Sequence, residues 1–227
     1  MKAFILAGGE GKRLRPLTYA IPKPLLPVGE KPVLEILIEN LKKQGFDELI
    51  ISVGYKSWLI KSYFSDGGKW DIKITYVDED KKLGTAGPLK KIAKQLMDSV
   101  VVVNGDLVTD LDFASLSDFH ERQKADMTVC TIDHVYNVPY GVIRSDESLL
   151  LGYDEKPKKE VCINAGIYVL NPKVLSFIPE DEYFDMSQLI DVLIKEKMRL
   201  VTYHFTGRWV DIGCMDDFEK IINSRND

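Results

Sequence analysis

The chain has 227 residues, of which 45% are hydrophobic and 29% charged, a composition typical of a globular protein with a sizeable core. Its net charge of −5 argues against a general nucleic-acid-binding protein. The apolar N-terminal run breaks at Gly8, and no apolar run approaches the ~20 residues that cross a bilayer. Cys130, Cys162 and Cys214 are far apart and form no zinc motif. We therefore expect a cytoplasmic protein whose partners include neither nucleic acid nor membrane.

Strand-like and helix-like segments alternate along the first part of the chain. The predicted strands are Lys2–Leu6, Glu48–Val53, Ile72–Val77, Val100–Val103 and Met127–Ile132. The predicted helices are Val33–Gln44, Trp58–Phe64, Ala86–Leu96 and Leu116–Lys124. This alternation is typical of βαβ units, so we predict a three-layer α/β/α, Rossmann-like fold with a mixed, mostly parallel sheet. The loops Gly8–Gly11 and Asn104–Asp106 both follow strands and should meet at the edge where such sheets bind ligands.

After Asp133 the pattern changes to shorter strands separated by turns. The predicted strands here are Gly141–Arg144, Leu149–Tyr153, Ala165–Leu170 and Leu200–Phe205, and the predicted helices are Met186–Lys195 and Met215–Ile222. No linker divides the chain, so we predict one domain over residues 1–227 with two lobes, residues 1–133 and 134–227. Aromatic residues around Tyr136–Tyr140 fit either a homodimer contact or a mobile lid.

The segment after the first strand is rich in glycine and positive charge. Its glycines are Gly8, Gly9 and Gly11, and its cations are Lys12, Arg13, Arg15 and Lys23. Bare backbone N–H groups can surround phosphate oxygens while cations neutralise their charge, so the loop is typical of a triphosphate site. It is not a P-loop, because Arg13 follows Gly11-Lys12, and it is not a dinucleotide fingerprint, because Leu14 replaces the third glycine. The alternative is an ordinary glycine turn with a solvated basic run.

A series of short motifs along the chain resembles the signature of the sugar-nucleotide pyrophosphorylases. The motifs are G-G-x-G-x-R-L-x-P-L-T from Gly8, P-K-P-L-L-P-V from Pro22, Gly84-Thr85-Ala86-Gly87, Asn104-Gly105-Asp106, Glu155-Lys156-Pro157, Asn164-Ala165-Gly166 and Trp209-Val210-Asp211-Ile212-Gly213. Enzymes of this family join a nucleoside triphosphate to a sugar 1-phosphate and release pyrophosphate. The resemblance runs from Lys2 to about Phe218. It implies a nucleotide-binding lobe at residues 1–133, a sugar-phosphate-binding lobe at 134–227 and no C-terminal β-helix domain.

The resemblance also implies roles for individual residues. The catalytic group would be Arg13, Lys23 and Asp106, and Asp106 and Asp211 would hold Mg²⁺. Residues expected to bind the nucleotide are Leu6, Ala7, Gly8, Gly9, Gly11, Lys12, Glu79, Gly84, Thr85 and Asp106. Residues expected around the sugar phosphate are Gly141, Glu155, Lys156 and Asn164. Lys12 departs from the family, in which a threonine often stands at this position.

Chemistry supports the metal assignment independently. Asp106 follows a buried strand beside a glycine that lets phosphate approach, and carboxylate oxygens are ligands that Mg²⁺ prefers. Asp211 stands between apolar neighbours, where an unpaired charge is costly unless a metal or a cation compensates it. The alternatives are a turn-capping role for Asp106 and a salt bridge for Asp211.

The expected base-reading residue is Glu79, which falls where relatives place the side chain that contacts the base edge. Guanine presents two adjacent N–H donors that one carboxylate can accept, whereas the carbonyl oxygens of uracil or thymine would repel it. Asp78 and Asp80 flank Glu79, and an acidic, solvated loop is the alternative. The segment Leu83–Leu89 also resembles the mannose-1-phosphate guanylyltransferases.

We therefore predict Mg²⁺-dependent nucleotidyl transfer from an NTP, with GTP favoured, to a mannose- or heptose-like sugar 1-phosphate. One alternative is a uridylyl- or cytidylyltransferase that uses another sugar, such as N-acetylmuramate 1-phosphate. A second is a catalytically silent regulatory paralogue that binds a sugar nucleotide. A third is a glycosyltransferase with the D-x-D motif Asp110-Leu111-Asp112, although the glycine-rich loop would then have no purpose.

Overall fold

The computed structural model describes residues 1–223 of the chain. Its strands are β1 (Lys2–Ala7), β2 (Pro27–Val28), β3 (Lys31–Pro32), β4 (Glu48–Val53), β5 (Lys73–Asp78), β6 (Val100–Asn104), β7 (Leu107–Thr109), β8 (Met127–Asn137), β9 (Val142–Asp146), β10 (Leu149–Asp154), β11 (Lys158–Leu170), β12 (Leu200–His204) and β13 (Trp209–Asp211). Its α-helices are α1 (Val33–Lys43), α2 (Ser57–Phe64), α3 (Gly87–Lys90), α4 (Phe113–Gln123), α5 (Met186–Lys195) and α6 (Met215–Asn223).

A seven-stranded sheet in the order β12–β8–β11–β6–β1–β4–β5 forms the centre of the molecule. Strands β6, β1, β4 and β5 are parallel, and β12 is parallel to β8. Strand β11 runs antiparallel to both β6 and β8, which makes the sheet mixed. The predicted α/β fold is therefore confirmed.

Helices cover both faces of this sheet. Apolar residues of α1, α2 and α4 pack with one face of the strands in a continuous buried cluster. Residues of α3 and α5 pack on the other face. Because the central strands are buried on both sides, β6 reads as an unbroken run of valines, Val100–Val103. A third cluster joins Leu14, Val108, Ile212 and Phe218, and so anchors the β7–β13 pair against the glycine-rich segment.

The predicted helix Ala86–Leu96 is wrong in length. The structure has one α-helical turn, α3, followed by a separate 3₁₀ turn at Ala93–Gln95. The buried side chains Ala86, Leu89 and Ile92 recur every three residues, which is the repeat of a 3₁₀-helix rather than the 3.6 of an α-helix. Elsewhere the predicted strands and helices agree with the structure to within a few residues, apart from β8 and β11.

Strands β8 and β11 extend well beyond the predictions and leave the main sheet as a long antiparallel pair. A register shift between Asn164 and Tyr168, with Gly166 at a φ of +70°, allows the strand pair to change direction. The hairpin β9–β10 stands beside this extension, and Tyr136 and Tyr140 are exposed there. Within residues 1–223, no helix combines the length and apolar character that crossing a membrane requires.

Candidate active site

A cleft of about 470 Å³ opens at the carboxyl ends of β1, β4 and β6, a size typical of small-molecule sites. The backbone N–H of Gly105 donates to the carbonyl oxygen of Leu6 at 2.8 Å. This bond joins the loop after β6 to the end of β1, as the parallel topology predicts.

The cleft gathers most of the predicted nucleotide-binding and catalytic residues. Those that line it are Leu6, Ala7, Gly8, Gly9, Gly11, Lys12, Lys23, Glu79, Gly84, Thr85 and Asp106. The lining also contains residues outside the predicted set, namely Glu10, Pro24, Ser52, Lys82, Asn104, Gly105, Tyr183 and Asp185. Asn104 and Gly105 belong to the Asn104-Gly105-Asp106 motif. Ser52 had a usable signal, because it is a polar residue in the otherwise apolar end of β4.

Two glycines of the loop are required by its geometry. Gly11 has a φ of +60°, and a Cβ there would lie 2.8 Å from the Thr18 Cγ2 atom. The Thr18 hydroxyl donates to the Gly11 carbonyl at 2.8 Å and fixes the turn. A Cβ on Gly8 would overlap the Glu79 carboxylate. The bare backbone thus lets the loop lie directly against the Glu79 side chain.

Two carboxylates and one ammonium group meet beside the cleft, whose lining includes Lys23 and Asp106 but not Asp211. Lys23 Nζ donates to Asp106 Oδ2 and lies 3.7 Å from Asp211 Oδ1. Pairing of β7 with β13 sets Asp211 opposite Leu107, and the Ile212 N–H donates to the Asp106 carbonyl at 3.2 Å. Short strands that the sequence did not reveal therefore bring Asp106 and Asp211 together across the two halves of the chain.

The ionised form of Asp211 is disfavoured in this cluster. Burial raises the pKa of Asp211, and repulsion from Asp106 raises it further, while Lys23 and Arg13 act in the opposite direction. Arg13 Nη2 and Asp211 Oδ2 lie 3.5 and 3.3 Å from the position that a Cβ on Gly213 would take. Arg13, an exposed residue, thus lies beside the carboxylates but is not among the residues that line the cleft.

The acidic pair has the properties of a divalent-cation site. Within residues 1–223, Asp106 Oδ1 and Asp211 Oδ1 are buried and have no hydrogen-bond partner. Buried carboxylate oxygens without partners are costly, and an oxygen-seeking cation would satisfy both. The two residues therefore fit a divalent metal.

Glu79 is half-buried at the opposite end of the cleft. Its carboxylate accepts a hydrogen bond from the Ser52 hydroxyl. Burial raises the pKa of Glu79, and hydrogen bonds from Ser52 and from the Leu83 backbone oppose that rise. Its acidic neighbours do not line the cleft: Asp80 is exposed, and Asp78 pairs with Lys61 at 2.6 Å.

The turn at Gly84–Thr85 closes one side of the cleft and is held by the start of α5. Thr85 donates through its N–H to Asp185 Oδ1 at 3.0 Å, and its hydroxyl accepts from the Met186 N–H at 2.8 Å. Gly84 has a φ of +75°, and a Cβ there would lie 2.6 Å from the Phe184 carbonyl oxygen. These contacts span about a hundred positions of sequence, so no local pattern could have indicated Tyr183 or Asp185.

The four residues predicted around the sugar phosphate do not line the cleft. Gly141 packs against the Tyr153 ring beside the β9–β10 hairpin, and Glu155 accepts from the Tyr153 hydroxyl. Lys156 is exposed in the turn before β11. Asn164 donates to the Tyr168 hydroxyl at 2.7 Å.

Asn164 is nevertheless linked to the cleft rim. Its Oδ1 accepts from the Gly166 N–H at 2.9 Å. A Cβ on Gly166 would meet the Asn104 side chain, and Asn104 lines the cleft.

Residues 2–227 match the protein-family model described as nucleotidyl transferase. The chain is 36% identical to a UTP–glucose-1-phosphate uridylyltransferase from Synechocystis sp., over 98% of this chain and 62% of that protein. It is also 36% identical to the D-glycero-alpha-D-manno-heptose 1-phosphate guanylyltransferase of Aneurinibacillus thermoaerophilus, over 97% of this chain and 96% of that protein. HddC from Yersinia pseudotuberculosis, solved in complex with GMP-PN, is similar with a TM-score of 0.78 and 27% identity over 99% of each chain.

The chain thus spans about three fifths of the length of some curated relatives and nearly the whole length of others. The match covers both the glycine-rich loop and the strand that carries Asp211. With these similarities and this site geometry together, the chain belongs to the sugar-1-phosphate nucleotidyltransferase family.

Proposed function

We propose that this protein transfers a guanylyl group from GTP to a mannose- or heptose-like sugar 1-phosphate, with Mg²⁺, and releases pyrophosphate. The observation that carries the choice of GTP is the Glu79 carboxylate, which lines the cleft beside Gly8 and is oriented by Ser52. One ionised carboxylate can accept the N1–H and N2–H of guanine together.

The reaction needs little covalent chemistry from the protein. An oxygen of the sugar phosphate attacks the α-phosphorus of GTP, and the bond from that phosphorus to the oxygen bridging to the β-phosphate breaks. No side chain forms an intermediate. The residues must instead hold three anionic groups in line and neutralise the charge that builds on the leaving pyrophosphate.

The glycine-rich loop binds the triphosphate. Its backbone N–H groups can bind phosphate oxygens, and Lys12 adds charge at the mouth of the cleft. Arg13 provides a planar group that can hold two phosphate oxygens, while Lys23 is a flexible point charge for the reacting phosphates. Asp106 and Asp211 would hold Mg²⁺, which would neutralise phosphate charge there.

Sugar recognition is assigned to the second lobe. Gly141, Glu155, Lys156 and Asn164 lie on the β9–β11 region rather than on the cleft wall. We propose that Glu155 accepts hydrogen bonds from sugar hydroxyls and that Lys156 contacts the sugar phosphate.

Uridylyl transfer is a second candidate, because a relative named as a UTP–glucose-1-phosphate uridylyltransferase is as similar in identity as the heptose guanylyltransferase. Glu79 weighs against it. Uracil presents one N–H between two carbonyl oxygens, and a carboxylate facing that edge would be repelled.

The test is pyrophosphate release from GTP, UTP, dTTP, CTP and ATP, each combined with a panel of sugar 1-phosphates, before and after removal of divalent metal. We expect turnover with GTP and a mannose- or heptose-type 1-phosphate, lost with EDTA and restored by Mg²⁺. Turnover with UTP alone would overturn the base assignment and leave the mechanism intact. Nucleotide binding without turnover in any combination would overturn the enzymatic function and favour a regulatory sugar-nucleotide-binding protein.

A further inference from the structure

Three side chains of types that can bind a metal lie together on strands of the central sheet, and none of them lines the cleft. They are Asp133 on β8, Cys162 on β11 and His204 at the end of β12. Cys162 pairs directly with Asp133, and His204 pairs with Thr131, two residues before Asp133. Since paired residues and residues two apart on a strand share a face, all three side chains project from the same side of the sheet.

The ligand atoms are close enough to share one ion. One atom from each of the three side chains lies within 4.8 Å of the others, and His204 Nε2 is 3.3 Å from Asp133 Oδ2. Zinc bonds of 2.0–2.3 Å in a tetrahedral arrangement put neighbouring ligand atoms roughly 3.3–3.6 Å apart. The histidine–aspartate distance already matches, and the thiol lies within 4.8 Å of both ligand atoms. Within residues 1–223, no other group of three His, Cys, Asp or Glu side chains has this proximity.

We propose that Asp133, Cys162 and His204 form a site for a borderline-soft divalent cation of the Zn²⁺ class. Thiolate and imidazole are ligands that select Zn²⁺ over Mg²⁺, and three protein ligands leave a fourth tetrahedral position for water. Asp106 and Asp211 offer oxygen alone, which suits Mg²⁺. The protein would then hold two cation sites that differ in chemical hardness and do not share a ligand.

The competing interpretation is a surface ion pair. His204 and Asp133 are both exposed, and a protonated imidazole beside a carboxylate needs no metal. That interpretation gives Cys162 no role. It is therefore the sulfur that separates the two interpretations, because a metal site must engage the thiolate and an ion pair does not.

A bound cation would have a definite mechanical effect. Strands β12, β8 and β11 are neighbours at one edge of the sheet, and β12 is the last strand of that edge. Ligands from all three strands would cross-link this edge where the β8–β11 pair extends beyond the main sheet, on the far side of the register shift between Asn164 and Tyr168. Cys162 is two residues from Asn164, so the cation would stiffen the part of β11 that approaches the cleft rim.

The test uses Co²⁺ as a spectroscopic probe on the full chain, stripped of metal and kept in excess Mg²⁺ so that the carboxylate pair is occupied. Cobalt bound to a thiolate gives an intense near-ultraviolet charge-transfer band, which an all-oxygen site cannot produce. We expect this band in the wild type and its complete loss in Cys162→Ser. The matched control is Cys214→Ser, which removes a thiol that donates to Asp217 between β13 and α6, outside the β12–β8–β11 edge, and should leave the band unchanged.

Competition of Zn²⁺ against bound Co²⁺ then tests the other two ligands. His204→Ala and Asp133→Asn should each weaken Zn²⁺ binding by at least the ~10- to 100-fold that loss of a mere supporting residue costs. Zinc should raise the Tm of the wild type and leave that of Cys162→Ser unchanged. Far-UV circular dichroism of each metal-free variant confirms folding, and the His204 and Asp133 variants decide the question if the cysteine variant misfolds.

Three results would overturn the proposal. The first is the absence of a thiolate band in the wild type. The second is a band that survives Cys162→Ser or disappears in Cys214→Ser. The third is equal Zn²⁺ affinity in the wild type and His204→Ala.

Discussion

The ammonium group of Lys23 donates a hydrogen bond to Oδ2 of Asp106, although 83 positions separate the two residues in sequence. Lys23 lies in a 3₁₀ turn that begins after Pro22, and Asp106 follows the buried strand β6. This turn therefore places the Lys23 ammonium group at the carboxyl edge of the sheet. Asp211, from the other half of the chain, lies at the same place. Because the Lys23 charge offsets the repulsion between the two carboxylates, Asp106 and Asp211 can lie together in a half-buried space before any substrate binds.

The first prediction concerns those acids. Asp106→Asn and Asp211→Asn should each lower kcat by orders of magnitude, because the amide removes the charge that holds a divalent cation while keeping the shape. The measurement is steady-state pyrophosphate release at saturating GTP, with folding confirmed by the Tm. In each variant, adding Mg²⁺ should also increase the rate of pyrophosphate release less than it does in the wild type.

The control for this pair is Asp110→Asn. Asp110 is exposed and begins the D-x-D sequence, and Asp112 uses its carboxylate to cap α4 by accepting from the Ser115 N–H at 2.8 Å. We expect wild-type turnover in Asp110→Asn. A large loss there, with normal activity in a folded Asp106→Asn protein, would reverse the assignment of the metal.

The second prediction separates two of the three lysines that line the cleft, Lys23 and Lys12. Lys23→Ala should lower kcat roughly 10²- to 10³-fold, the typical cost of removing one charge-stabilising donor at a reacting centre. Lys12, whose side chain is 62% exposed, should behave differently: Lys12→Ala should raise KM for GTP with little change in kcat. Steady-state kinetics over a range of GTP concentrations measures both.

Lys23→Arg provides a further check on the first of these lysines. A planar guanidinium cannot replace a compact ammonium between two carboxylates, so we expect little recovery of kcat. Full activity in this variant would mean that only the charge at position 23 matters.

Much of the fold could be predicted because its signals are local. The valine run Val100–Val103 identifies a strand buried on both faces, and alternation with helices identifies the parallel part of the sheet. The prediction was wrong at Ala86–Leu96, where the apolar pattern fits both the 3.6-residue repeat of an α-helix and the three-residue repeat of a 3₁₀-helix. Packing against the face of the sheet that α5 covers favours the three-residue repeat. It also missed β7 and β13, because strands of three residues carry no measurable period.

The residues of the candidate site also divide into those whose position the sequence indicates and those whose position it does not. Gly8, Gly11 and Asp106 lie in the loops that follow β1 and β6, so their meeting depends on topology that the sequence indicates. Asp185 reaches Thr85 through a contact between distant segments, and Ser52 reaches Glu79 across neighbouring strands. Such pairs are set by tertiary packing, which a single sequence does not encode in any short pattern.

The third prediction concerns the choice of base. Glu79→Gln should reduce the preference for GTP over UTP, measured as the ratio of the two kcat/KM values, by roughly 10- to 100-fold, the worth of a hydrogen bond to a charged group. The amide still accepts at one atom but presents a donor to guanine at the other. The control is Asp80→Asn, which removes an exposed neighbouring charge and should leave the ratio unchanged. An unaltered ratio in Glu79→Gln would reject Glu79 as the base-reading residue.

The fourth prediction treats Ser52 as a positioning residue and uses pH to identify its role. Burial raises the pKa of Glu79, and the Ser52 hydroxyl opposes that rise by donating to the carboxylate. Guanine recognition needs the ionised form, so kcat/KM for GTP should be maximal above the pKa of Glu79 and fall as the pH drops through it. Ser52→Ala removes the opposing hydrogen bond, raises the pKa of Glu79 further and should move this acid limb to higher pH.

Two comparisons make that shift specific to the Ser52–Glu79 contact. The ionised carboxylate opposes UTP binding, so turnover of UTP should not fall on the acid side in Ser52→Ala. Ser99 donates to Glu121 at 2.8 Å on the surface far from the cleft, so Ser99→Ala should leave both profiles unchanged. A purely structural defect would lower turnover with GTP and UTP alike at every pH, whereas loss of the positioning bond lowers the GTP reaction selectively and most strongly on the acid side.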